Sequence, residues 1–370
     1  MKVALVYDRV NKWGGAERVL LALHELWPQA PLYTSVYNPE TAPWAKVFRV
    51  IPSFLQAFPL AKTNHERYSL LMPFAFESFN FDEYDLVISL SSEAAKGILT
   101  KPKTLHLCYC LTPTRYLWSG CDQYFDSPAK KIFAQPFIKA LKAWDLVAAQ
   151  RPDEYIAISK TVQERIAKYY KRESGVVYPP VETDKFRTMN YEARAIVDKY
   201  FLVVSRLVKY KKVDLVVETF NRLGWSLKVI GVGREYEKLR RRAGKNIEFL
   251  GQLTDKELLG YYQNCQAVIF PPEEDFGIVP LEAQAAGRPV IAFRAGGARE
   301  TVIEGKTGIF FDKQTVASLT ECLKNFKSLK FESASCRQQA EKFSLKRFKK
   351  EFELQVLTKW QRHTKTIFTP

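Results

Sequence analysis

Along the chain, short blocks of apolar and β-branched residues alternate with longer stretches whose apolar positions recur three and four apart. The blocks KVALVY, YDLVISLS, TLHLCYC and EYIAIS, at residues 2–7, 84–91, 104–110 and 154–159, predict buried strands. AERVLLALHELW after the first block and KTVQERIAKYY after the fourth predict helices. GVVYPPV then runs as a strand into Pro179-Pro180, where the alternation breaks. It restarts at KYFLVVSRL. Helices follow at VDLVVETFNRL, EYEKLRRRA and DKELLGYYQNC, with strands at SLKVIGVG, IEFLG, QAVIFPP, RPVIAF and TGIFF. Strands alternating with helices imply parallel sheets covered on both faces. The pattern therefore predicts an α/β protein of two doubly wound halves, with ligands outside the carboxyl ends of the strands. The last segment, SLKRFKKEFELQVLTKW, predicts a helix with an apolar stripe at Phe348, Phe352, Val356 and Trp360, able to pack back on the first half.

Composition agrees. The chain has 370 residues, 46% hydrophobic and 26% charged, too long for one ordinary core and balanced like a globular protein. No apolar run reaches a bilayer span, and the opening run reads as a strand rather than a signal peptide. The six cysteines, Cys108, Cys110, Cys121, Cys265, Cys322 and Cys336, show no paired spacing. That argues against zinc and for reduced core thiols in a cytoplasmic protein. The net charge of +16 favours anionic partners. Much of it lies in KNFKSLK and KFSLKRFKK. Both a solvated helix face and docking on an anionic membrane remain open. No nucleic-acid motif is present.

Three stretches carry candidate chemistry. In PPEEDFGIVPLEAQAAG a strand stops at a double proline and a helix is expected near Gly277. The free N–H groups around Phe276, Gly277, Ile278 and Val279 suit a phosphate. Glu274 on the loop could reach sugar hydroxyls, and Glu282 inside the helix could accept from a ribose. Acidic residues also simply favour a helix start. In SRLVKYKK, Arg206 and Lys211 follow a strand and could neutralise a diphosphate. An exposed basic turn is the plainer alternative, and Lys212 fits it. In NKWGGAERV, Gly14 and Gly15 would let backbone N–H groups approach a phosphate, without a dinucleotide fingerprint. RAGGARETV repeats that arrangement with Gly296, Gly297 and Glu300.

The order of these stretches resembles the retaining glycosyltransferases of family 4, which have the GT-B fold. The likeness runs over nearly the whole chain: GGAERV, AISKTVQERI, VVYPPVETDKF, SRLVKYKKVDLVVETF, VIGVGREYEKL, IEFLGQLTDKELLGYY and the long PPEEDFG segment. It implies two Rossmann-like domains facing across a cleft. Residues 1–182 would take the acceptor, joined by a returning helix of about 352–370, and residues 183–351 would bind a nucleotide sugar. The resemblance implies Glu274, Arg206 and Lys211 as the catalytic set, with Gly14, Gly15, Phe276, Gly277, Ile278, Val279 and Glu282 also on the donor. It implies no metal and no cofactor. CYCLTPTRYLW departs from it: relatives often carry a histidine where this chain has Leu111, and His106 is too early on its strand to replace it. The segment with Arg115, Tyr116 and Trp118 is similar to that of bacterial mannosyltransferases of surface polysaccharides and suggests the acceptor side.

The implied reaction is hexose transfer, from GDP-mannose by family likeness, to a saccharide or lipid-linked saccharide at the inner membrane face. A UDP-sugar donor, an epimerase and a non-catalytic sugar-nucleotide binder stay open. The apolar stretch of residues 51–79 could line the acceptor side, meet a membrane, or cover the first sheet.

Overall fold

The structure, a computed structural model, describes residues 1–120, 128–188 and 200–368. Cys121 lies outside them. The chain divides into two compact units, Met1–Pro179 with Phe348–Pro370, and Pro180–Arg347.

The first unit is built on β1 (Val3–Tyr7), α1 (Gly15–Leu26), β2 (Leu32–Thr34), β3 (Val50–Pro52), α2 (Met72–Glu77), β4 (Leu86–Ser91), β5 (Leu105–Cys110), α3 (Pro128–Ala148), β6 (Glu154–Ala157), α4 (Lys160–Arg165) and β7 (Gly175–Val176). Its seven-stranded sheet has the order β3-β2-β1-β4-β5-β6-β7, and every pairing is parallel. VALVY, LVISLS and LHLCYC are buried at every position, as central parallel strands covered on both faces require. The stretch of residues 51–79 covers one face. Leu55, Ala61, Met72 and Phe76 pack with Val6 and Val87 of the sheet, while Phe54, Phe58, Leu60, Leu70 and Phe74 stay exposed.

The second unit holds α5 (Thr183–Thr188), β8 (Phe201–Val204), α6 (Val213–Leu223), β9 (Leu227–Ile230), α7 (Tyr236–Arg242), β10 (Ile247–Gly251), α8 (Asp255–Asn264), β11 (Val268–Phe270), α9 (Ile278–Ala285), β12 (Val290–Phe293), α10 (Ala298–Thr301), β13 (Gly308–Phe311), α11 (Val316–Phe326) and α12 (Ser333–Glu341). Its six-stranded parallel sheet runs β10-β9-β8-β11-β12-β13. Alternate strand residues feed two cores. Phe201, Val203, Val229 and Ile269 pack with α6 and α11 on one face. Leu202, Ile230, Val268 and Val290 pack with α8 and α9 on the other. Thr254 and Glu257 form a capping box that starts α8.

The final helix, α13 (Leu345–Phe368), returns to the first unit. Its predicted stripe is buried at Phe348, Phe352 and Val356, and Trp360 is half-buried. Phe352 meets Tyr109 of β5 edge-on at 5.3 Å, and Lys349 and Lys359 pair with Glu25 and Glu154.

Some elements differ from expectation. GVVYPPV is a strand only at Gly175–Val176, with a separate bridge from Val181 to Ser344. The helix of KTVQERIAKYY widens into a π turn over Ile166–Tyr170. β2 and β3 carried no strand expectation, because three residues are too few to show alternation. The five described cysteines are free and buried.

Candidate active site

In an open parallel sheet, neighbouring strands whose connections leave in opposite directions open a crevice at their carboxyl ends. In the second unit that point lies between β8 and β11. The loop after β8 carries Arg206 and a short 3-10 turn, Lys209–Lys211. The loop after β11 begins at Pro271 and carries Glu273, Glu274 and Asp275 before α9. Two sequence-predicted residues meet here: Lys211 Nζ pairs with a Glu274 carboxylate oxygen, and both side chains are mostly shielded. Arg206 is exposed, and its guanidinium donates to the Tyr210 hydroxyl at 2.9 Å. Lys211 also lies over the Tyr210 ring at 5.2 Å.

The start of α9 fits an anion. Gly277 precedes it with φ +90°, a left-handed conformation that favours glycine, and no side chain caps the helix. The first turn is Ile278, Val279 and Pro280, which bring no side-chain acceptor of their own to the N–H groups of Ile278 and Val279. Phe276 is buried against Phe343, with ring centres 5.7 Å apart. Glu282 is also buried, and the Tyr262 hydroxyl donates to it at 2.8 Å. Tyr262 was not singled out in the sequence; its place on the buried face of α8 was the available signal.

The glycines set the loops. A Cβ on Gly297 would stand 2.3 Å from Phe276 Cα, and one on Gly296 would stand 2.2 Å from the Glu274 carbonyl oxygen. The Gly297 amide donates to that carbonyl at 2.8 Å. Gly296 and Gly297 thus pin the Glu274 loop by close backbone packing. Gly231 and Gly233, after β9, similarly press on the backbone of Ser205 and Leu207 beside Arg206.

In the first unit the corresponding point lies between β1 and β4. Asp8, at the end of β1, accepts from the backbone N–H groups of Ser92, Glu93 and Ala95 and from the Ser92 hydroxyl, at 2.6–3.0 Å. Arg9 pairs with Glu93 at 2.5 Å. Asn11 bonds the Lys62 carbonyl and His65, which ties the loop after β1 to the covering segment. Burial, helped by the Arg9 charge, lowers His65 to about 4. Gly14 is extended, a shape open to any residue; a Cβ there would sit 3.0 Å from a carboxylate oxygen of buried Glu17. Gly15 is the first residue of α1.

After β5, Leu111 is half-buried and its amide continues the ladder to the Ser91 carbonyl. Arg115, Tyr116 and Trp118 follow, all half-buried. Burial and the Glu93 charge push the Tyr116 hydroxyl up, so it stays protonated at neutral pH. His106 is fully buried inside β5, bonded to Ser89 at 2.9 Å and lowered to about 3 by burial and the charges of Arg151 and Arg172. It is a core residue. Among the described residues no group of three His, Cys, Asp or Glu side chains is placed to hold a metal ion.

Two all-parallel doubly wound units with such crevices constitute the GT-B fold. The solved structure of HepE from Anabaena, in complex with UDP, matches 97% of this chain and 100% of that one with a TM-score of 0.70 at 16% identity, which is a likeness of fold. Residues 185–343 match the family described as glycosyl transferases group 1. An uncharacterised glycosyltransferase of Methanocaldococcus jannaschii is 29% identical over 180 residues, 47% of this chain and 49% of the relative. The GDP-mannose-dependent alpha-(1-6)-phosphatidylinositol monomannoside mannosyltransferase of Mycolicibacterium smegmatis is 30% identical over 190 residues, 44% of this chain and 50% of the relative. The chain spans about half the length of these curated relatives. It resembles the glycosyltransferases of group 1, mannosyltransferases among them.

Proposed function

We propose that this protein is a retaining, metal-independent glycosyltransferase that moves a hexose from a nucleoside-diphosphate sugar to a saccharide or lipid-linked saccharide of the cell surface. The observation that carries this reading is the convergence at the β8–β11 crevice: Lys211 on Glu274, Arg206 beside them, and an uncapped helix start. In this reading Arg206, Lys211 and the amides around Gly277 hold the diphosphate. Glu274 orients the sugar, and Glu282, steadied by Tyr262, takes the ribose. Gly14 and Gly15 in the first unit also meet the donor, while Arg115, Tyr116 and Trp118 serve the acceptor side.

The chemistry asks for stabilisation of a departing diphosphate while positive charge builds on the sugar. Fixed cations and helix N–H groups supply this without reorganising. The bond from the anomeric carbon to the β-phosphate oxygen breaks, and the bond to the acceptor oxygen forms on the same face. The acceptor proton passes to the departing phosphate oxygen. A same-face displacement in which the departing phosphate takes the acceptor proton asks for no carboxylate nucleophile.

GDP-mannose is the proposed donor, on the name of the mycobacterial relative; the UDP complex of the Anabaena protein favours a UDP-sugar as the second choice. Thermal-shift titration separates them, because a ligand of the native state raises apparent stability. GDP and GDP-mannose should raise the midpoint more than UDP and UDP-glucose, and EDTA should leave turnover unchanged. Turnover strictly dependent on magnesium or manganese would refute the metal-independent reading. Sugar-nucleotide epimerisation without an acceptor would replace transfer altogether.

A cytoplasmic protein docked on the membrane is part of the same proposal. Phe54, Phe58, Leu60, Leu70 and Phe74 are exposed, among Lys62 and Arg67. No described helix is long and apolar enough to span a bilayer, so an interfacial contact is the form proposed. Cosedimentation with phosphatidylglycerol vesicles but not phosphatidylcholine vesicles is expected; equal recovery with both would dismiss it.

A further inference from the structure

Lys96, in the short turn after β4, is 1% exposed. A buried ammonium is costly unless paired and hydrogen-bonded. Its partner is Asp145 of α3, also 1% exposed, at 2.5 Å. The pair reaches beyond itself. Lys96 Nζ also donates to the Glu93 carbonyl and to the Thr114 hydroxyl. Asp145 accepts the Thr114 hydroxyl at 2.8 Å on one oxygen and the Trp118 indole N–H at 2.7 Å on the other. Both carboxylate oxygens are thus committed to the loop after β5. The π turn closes the other side. Its last two residues are Tyr169, stacked on Trp118 with centroids 5.3 Å apart, and Tyr170, whose hydroxyl accepts the Thr114 amide at 3.2 Å.

We infer that Lys96 and Asp145 are positioning residues for the acceptor: they clamp Thr114 and Trp118 so that Arg115 and Tyr116, which lie between them, are held ready to bind it. The inference rests on the glycosyltransferase reading. A pair serving stability alone is poorly explained by burial, since apolar residues of similar volume commonly stabilise as well or better. Here the charges meet the Thr114 hydroxyl and the Trp118 indole of this loop as well as the Glu93 carbonyl. Within the loop the amides of Leu117 and Trp118 donate to the Thr114 carbonyl, and the Gly120 amide to the Arg115 carbonyl; the clamp ties these turns to the turn after β4 and to α3.

The test uses the full chain. The double variant Lys96→Met with Asp145→Leu removes both charges and keeps an apolar core. Trp118→Phe removes the indole N–H together with part of the ring stacked on Tyr169 and keeps both charges. Hydrogen exchange is followed in the peptide of residues 111–120, GDP binding by thermal shift, and GDP release from GDP-mannose with methyl α-mannoside as acceptor probe. The double variant should exchange at least about tenfold faster in that peptide and raise the acceptor KM by about tenfold, the scale of one lost hydrogen bond or more. The GDP shift should not change. Trp118→Phe should move both readouts the same way by less, and it carries the test if the double variant does not fold. Wild-type exchange and wild-type acceptor KM in both variants would overturn the inference. A wild-type protein that turns over no nucleotide sugar would instead remove the transferase reading, and the acceptor role with it, while exchange would still report whether the pair holds the loop.

Discussion

The two units present the same crevice with opposite electrostatics. In the second, between β8 and β11, Arg206 is exposed and Lys211 pairs with Glu274. In the first, between β1 and β4, the charges are already spent: Asp8 has four donors, Arg9 has Glu93, and Lys96 has Asp145. A paired, buried charge shapes a loop; the exposed Arg206 guanidinium can take an anion. The proposed function accordingly puts the diphosphate in the second unit and a shaped, hydroxyl-reading surface in the first.

The sharpest way to break this contrast is to remove the two proposed diphosphate-binding cations. Arg206→Ala and Lys211→Ala should each lower GDP-mannose turnover about 10²–10³-fold, the scale seen when one preorganised donor to a developing anion is lost. The thermal midpoint should barely move for the exposed Arg206 and should fall for Lys211, whose loss leaves the shielded Glu274 carboxylate without its ammonium. Turnover at wild-type level in both variants would erase the contrast.

A smaller effect sharpens it. The chain has four histidines, His24, His65, His106 and His363, all in the first unit. His65 is lowered to about 4 and His106 to about 3, both chiefly by burial. Below the ordinary histidine value near 6.5 the unfolded chain therefore binds protons that the native first unit refuses, and stability falls as pH falls. Each such histidine contributes a slope of up to about 1.4 kcal/mol per pH unit between its unfolded and native values. His106→Gln should flatten the slope of unfolding free energy between pH 6 and 5, as read by urea titration. An unchanged slope would show that His106 takes up its proton alike in both states.

The sequence made much of the fold legible. VALVY, LVISLS and LHLCYC are continuous apolar runs because parallel strands are buried on both faces. DKELLGYYQNC read as a helix, and α8 runs Asp255–Asn264 within it. LYT and VIP did not announce strands, since their pairing comes from β1 rather than from their own pattern. At the candidate site, the helix start at Gly277 was visible in the double proline and glycine that precede it. The meeting of Lys211 with Glu274 depends on two loops brought together by adjacent strands, so only the order of motifs hinted at it. Lys96 and Asp145 gave no local signal at all. Either residue reads alone as a surface charge on a turn or a helix, and burial becomes visible only when the turn after β4 and α3 close over the loop between them.

The most direct measurement is equilibrium binding of GDP, by calorimetry, to the wild-type chain and to Lys211→Ala. If the second crevice holds a diphosphate through Arg206 and Lys211, the variant should bind at least about tenfold more weakly, the loss of one charge-assisted contact. Equal affinity in the two proteins would contradict the account.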